Sequence, residues 1–107
     1  MNAADFFDKY TVIEISWKEF LKKNLSYRNS SALGMTALRI CYYITKHPDC
    51  SLKEVAISLA ISLGSASQMV QAMTIGGILK CTTDTTDRRR ISITPLPILT
   101  DFFNNLH

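Results

Sequence analysis

Two helix starts lie only eleven residues apart in the middle of this chain, so the space between them holds little besides one short helix and a tight turn. The first start is Ser51-Leu52-Lys53-Glu54. It reads as a capping box, in which the Ser51 hydroxyl accepts from the Glu54 amide and the Glu54 carboxylate returns to the Ser51 amide. Leu52, Val55, Ala56 and Leu59 then keep one face of a helix, and Ala60-Ile61-Ser62 interrupts it. Ser62 caps a second helix running to about Ile75, which makes the pair a helix-turn-helix. In this second helix Ala66, Met69, Val70 and Met73 recur at i, i+3, i+4 and i+7 and face a core. Gly64, Ser65, Ser67, Gln68 and Gln71 are left outward, and Gly76-Gly77 closes the helix through a left-handed residue.

The flanking segments have equally readable periods. Phe6, Phe7, Tyr10, Ile13, Trp17, Phe20 and Leu21 fall on one face of a long amphipathic helix. Val12 and Ile15 lie off that face and form a second apolar stripe that invites a partner helix. Ser26 to Ser31 is polar and aperiodic, a linker. From Thr36 to Lys46 apolar side chains occur almost all round, as in a helix buried on most sides, and Pro48 ends it. Downstream of the glycines, Ile78 to Thr83 and Arg90 to Thr94 read as two strands. In the second, Ile91 and Ile93 point one way and Arg90, Ser92 and Thr94 the other. Asp84 to Arg89 is their polar hairpin tip. Leu99, Phe102, Phe103 and Leu106 repeat the helical spacing after Pro95-Leu96-Pro97, a helix entrance.

The predicted fold class is therefore mainly α with a small β-hairpin (α+β), a winged helix-turn-helix with flanking helices at both ends. With 107 residues, 47% of them hydrophobic, the chain suits one domain with a real core. The expected organisation is an N-terminal helix over residues 1–25, a winged helix-turn-helix core over 33–94 and a short C-terminal helix over 95–107. No apolar run approaches the roughly 18 residues that cross a bilayer, and the start of the chain lacks a signal-like basic and apolar pattern. The expectation is a cytoplasmic protein with no membrane association.

Other chemistry finds little support. Cys41, Cys50 and Cys81 are odd in number and far apart, which argues against a disulfide framework, and no neighbouring group would lower a thiol pKa. His47 and His107 have no second ligand at a metal spacing, and the methionines suit core filling. There is no nucleophile-base arrangement, Gly-rich phosphate loop or paired carboxylates on one face, so neither an enzyme nor a cofactor is expected. A net charge of +3 is too mild to mark a nucleic-acid binder by itself. Its distribution says more, because Arg88, Arg89 and Arg90 stand together while Glu54 to Leu79 contains no basic residue.

In order and spacing these segments resemble the multiple-antibiotic-resistance regulator (MarR) family over roughly Leu33 to Thr94. The family's Leu-Thr-x-x-x-Phe-Arg-Val-Leu resembles Leu33 to Cys41, and its Leu-Ser-Glu-Leu-Ala resembles Leu52-Lys53-Glu54-Val55-Ala56. Its Leu-Ser-x-Ser-Thr-Val-Thr-x-Leu-Val is similar to Ile61 to Val70, and the wing motif Asp-x-x-Asp-Arg-Arg appears as Asp84-Thr85-Thr86-Asp87-Arg88-Arg89. The resemblance implies sequence-specific binding of double-stranded DNA by a transcriptional regulator. The second helix of the motif would enter the major groove, with Ser62, Gly64, Ser65, Ser67, Gln68 and Gln71 at the contact. Gln68 and Gln71 suit adenine, since a Gln amide pairs bidentately with that base.

The wing follows a separate logic. The resemblance implies that Arg89 enters the minor groove and Arg88 reaches a phosphate; arginine is drawn into that electronegative groove and a carboxylate holds its fork, so Asp87 would orient Arg89, with Arg90 as the alternative tip. The second helix lacks Arg and Lys, which places more of the affinity on the wing and on Lys53 and Lys80. The resemblance further implies a homodimer built from the terminal helices, here leaning on the first, and a small-molecule effector bound between dimer helices and DNA-binding lobes. The competing reading is a winged helix that binds another protein through its exposed apolar helices, its arginines meeting an acidic partner instead of phosphate.

Overall fold

A computed structural model describes residues 2–25, 33–83 and 91–106. The expected linker at 26–31 and the hairpin tip with Arg90 lie outside the described residues. The elements run α1 (Ala3–Asn24), α2 (Met35–Lys46), α3 (Leu52–Leu59), α4 (Leu63–Ile75), β1 (Leu79–Thr83), β2 (Ile91–Pro95) and α5 (Pro97–Asn104). This is the expected mainly α arrangement with one hairpin.

Local chemistry sets the boundaries. The Asn2 side chain accepts from the Asp5 amide at 2.9 Å and starts α1. Ser51 accepts from the Glu54 amide at 3.1 Å and starts α3. The return bond from Glu54 to the Ser51 amide is not formed, since an exposed carboxylate keeps its water and its rotamer freedom. At the far end of α3, Ala60 takes a left-handed conformation (φ 56°), and the amides of Ala60 and Ile61 turn back onto the Ile57 and Ala56 carbonyls. Gly77 (φ 79°) does the same for α4, with Ile78 N–H donating to Met73 O at 2.9 Å and Gly77 N–H to Thr74 O at 3.1 Å. Ile78 is thus spent on the helix cap, and β1 begins at Leu79, one residue later than its side-chain pattern predicts.

β1 and β2 pair antiparallel with Lys80 opposite Thr94, Cys81 opposite Ile93 and Thr83 opposite Ile91. Ile93 is buried, whereas Ile91 on the same face lies further toward the tip, beyond the core, and is exposed. The other edge of β2 is also paired: Ile93 N–H donates to Cys50 O at 2.8 Å and Asp49 N–H to Ile93 O at 3.1 Å. The segment entering α3 is stitched to the hairpin in this way.

The core gathers Trp17, Leu21 and Leu25 of the α1 end, Ala37, Ile40, Cys41 and Ile44 of α2, Val55 of α3, and Ala66, Val70 and Met73 of α4. Ile78, Leu79, Ile93 and Leu99 complete it. Trp17 is 1% exposed, and its indole N–H donates to Gly34 O at 3.2 Å. Its ring stacks on Phe20 and meets Phe102 edge-on, both at 5.5 Å, so α1 and α5 are joined by aromatic packing. Gly76 sits beneath Leu25: a β-carbon there would run into the Leu25 side chain.

Only part of the first apolar stripe is covered by this core. Trp17 and Leu21 are buried and Phe20 and Ile13 partly so, but Phe6, Phe7 and Tyr10 are exposed, as are Val12 and Ile15. Every residue from Asn2 to Val12 is exposed. A 22-residue helix is about 33 Å long, so α1 reaches well past the residues that the core covers.

Candidate nucleic-acid interface

α4 divides cleanly into two faces. Ala66, Val70 and Met73 are buried and Met69 partly so, while Gly64, Ser65, Ser67, Gln68 and Gln71 are all exposed, as the sequence predicts. Ser62, also exposed, accepts from the Ser65 amide at 3.0 Å. Its hydroxyl proton remains free to donate outward. Helix geometry leaves the Leu63 and Gly64 amides without intrahelical acceptors, so this end of α4 presents donors and the positive end of the helix dipole. α4 is held at its position by the buried contact of Cys41 Sγ with Met73 Sδ at 3.1 Å and by the cap that leads directly into β1.

Lys53 is exposed in the first turn of α3, and Lys80 is exposed on β1. α4 itself carries no charged side chain. Asp87, Arg88, Arg89 and Arg90 lie outside the described residues; β1 and β2 bracket them and fix the base of the hairpin beside α4. Two exposed apolar residues of α4 were not among the predicted contacts. Leu63 is 55% exposed and Ile75 73%. No local signal marks Leu63, because an apolar residue at the first position of a helix reads as part of its apolar repeat.

The thiols behave as structural groups. Burial pushes the Cys41 thiol well above its ordinary value, and burial followed by the Glu54 carboxylate pushes Cys50 up to about 11. A neutral buried thiol is a poor nucleophile. Cys81 is exposed on β1, with its sulfur 3.4 Å from the Thr74 hydroxyl.

A cleft of about 570 Å³ opens between α1, α2 and α5, lined among others by Ile13, Arg39, Tyr42, Tyr43 and Phe103. Among the aromatic residues, Tyr42 and Tyr43 border it. Trp17 and Phe102 are packed in the core cluster instead, and Tyr10 projects from the bare half of α1. Among the described residues no cluster of His, Cys, Asp and Glu has a geometry that would hold a metal ion. No described helix is long and apolar enough to cross a membrane.

A short helix, a tight turn, an outward polar helix and a hairpin stitched to both define a winged helix-turn-helix. No family model matches the sequence, and no curated protein matches it. Solved structures make the fold more particular. FabT from Streptococcus pneumoniae, solved in complex with DNA, superposes with a TM-score of 0.67 at 17% identity, over 94% of this chain and 66% of that one. MarR gives 0.63 at 17%, over 89% and 67%. RV1404 from Mycobacterium tuberculosis gives 0.70 at 12%, over 99% and 72%. The fold is MarR-like, and the chain spans about two thirds of the length of the first two neighbours.

Proposed function

We propose that this chain is a DNA-binding transcriptional regulator acting in the cytoplasm in the manner of MarR, a binding protein and not an enzyme. The observation that carries the reading is the exposed polar face of α4, with its apolar face locked into the core of a MarR-like fold. α4 enters the major groove; Gln68 and Gln71 read adenine edges, and Ser62, Ser65 and Ser67 serve phosphates or bases around the bare Gly64 backbone. Arg89 or Arg90 enters the minor groove, oriented by Asp87, while Arg88 and Lys53 reach phosphates. FabT, of the same fold, was solved with DNA, which supports this mode of engagement.

The regulator works as a homodimer. The exposed Phe6, Phe7, Tyr10, Val12 and Ile15 of α1 support this, because an apolar helix segment bare on all sides is a surface awaiting another. The α1–α2–α5 cleft is the place for a small-molecule effector, bound where it would shift the terminal helices against the DNA-facing half. The same exposed α1 segment also favours the second reading, a protein-interaction module with no DNA partner.

Fluorescence anisotropy of labelled duplex DNA, titrated at low and moderate salt, separates the two. Wild-type binding should weaken with salt. Arg88→Ala/Arg89→Ala should bind far more weakly, with a slope of log K against log salt shallower by roughly 1 per lost phosphate contact. No wild-type binding at low salt would overturn the DNA reading in favour of the interaction module.

A further inference from the structure

From the surface of α4 we infer that Leu63 determines specificity by contacting the C5-methyl group of thymine, so that the DNA half-site carries thymine opposite the start of this helix. The inference rests on the DNA-binding reading above. A helix without charged side chains draws its sequence information from neutral hydrogen bonds and from apolar contact, and α4 is such a helix. Among the base edges exposed in the major groove, the thymine methyl is the apolar feature.

Leu63 is placed to meet it. It is the first residue of α4, and residues at the N-terminal end of a recognition helix are those that reach base edges. Its side chain is 55% exposed and outside the core cluster. The helix start does not require it: Ser62 provides the cap, and the apolar pair that staples such a start falls on Ile61, half-buried, and Ala66, buried. Beside it, Gly64 leaves open space, for a β-carbon there would meet nothing within 4 Å. Glycine weakens a helix interior, and no close approach within the fold calls for it here, which fits a surface kept low for an incoming duplex. Ile75, although more exposed, lies about 18 Å along the axis at the opposite end and borders the groove toward Ile91 of β2. It is the internal control.

The test uses the full chain and a duplex enriched by it from a randomised pool, synthesised once with thymine and once with deoxyuridine, which differs in the C5-methyl alone. Wild-type affinity should fall about fourfold for each contacted methyl removed, the effect of burying one methyl group. Leu63→Ala should bind the thymine duplex at the weakened level and no longer distinguish the two, with an unchanged melting temperature. Ile75→Ala should keep the wild-type ratio. A wild type indifferent to the methyl, a Leu63→Ala variant with the wild-type ratio, or discrimination lost only in Ile75→Ala each overturns the inference while leaving DNA binding intact. A pool that yields no enriched sequence overturns the DNA-binding reading itself, and the inference with it.

Discussion

α1 and α4 are both amphipathic helices of one small chain, and they meet opposite circumstances. α4 buries Ala66, Val70 and Met73 in the core with α2, α3 and the hairpin and shows solvent a mainly polar face, with Leu63 and Ile75 exposed at its two ends. α1 does so only from Trp17 onward; its first ten residues leave both apolar stripes bare. The same periodicity thus yields a helix packed on its own chain in one place and, in the other, a helix whose first half is left exposed. The difference separates a helix fixed by its own core from one whose exposed half is the surface assigned above to the proposed dimer.

Trp17→Ala should destabilise the fold by about 3–5 kcal/mol in urea unfolding, since it empties a fully buried aromatic site and removes the bond to Gly34. A loss below about 1 kcal/mol would mean that even the inner half of α1 is not part of the core. Gly76→Ala tests the seam between α1 and the end of α4. The added β-carbon collides with buried Leu25, and a loss of about 1–3 kcal/mol is expected by the same measurement.

In the helix-turn-helix the sign should reverse. Ala60 holds a left-handed conformation that glycine adopts freely, so Ala60→Gly should stabilise by about 1 kcal/mol; destabilisation would show that its methyl packs more than its 56° φ strains. The smallest effect belongs to the bare half of α1. Phe7→Ser should change stability by less than about 0.5 kcal/mol in dilute solution, while abolishing the rise of melting temperature with protein concentration that a dimer confers. Equal concentration dependence in wild type and variant would move the dimer contact elsewhere.

What the sequence made legible follows the same division. The two helix starts at Ser51 and Ser62, the outward set of α4 and the closing glycine were readable because caps and periodicity act within a few residues. The face of α1 was readable as well, but periodicity identifies which side is apolar and not what covers it; Phe7 and Trp17 occupy the same stripe with opposite fates. The Trp17–Phe102 contact joins residues distant in sequence, and no local pattern encodes such a pairing. Leu63 is hidden from periodicity for a related reason. At the first position of a helix an apolar residue reads as an ordinary part of the repeat, and its exposure emerges only once the core is seen to lie elsewhere. Half of the capping box failed because an exposed glutamate gains little by giving up solvent.

The pairing of β2 on both of its edges has a mechanical meaning. Hydrogen bonds tie this strand to β1 on one side and to the residues entering α3 on the other, while β1 continues without slack from the end of α4. α4 and the base of the hairpin are therefore tied into one stiff body, like a blade and its guard. In the dimer proposed above, an effector at the terminal helices would alter how far apart two such bodies stand, or how they are tilted, with little leverage over the angle inside either one. Regulation in such a protein would act by changing the span between two fixed instruments, and the amide proton of Ile93 should be among the slowest in the hairpin to exchange with solvent.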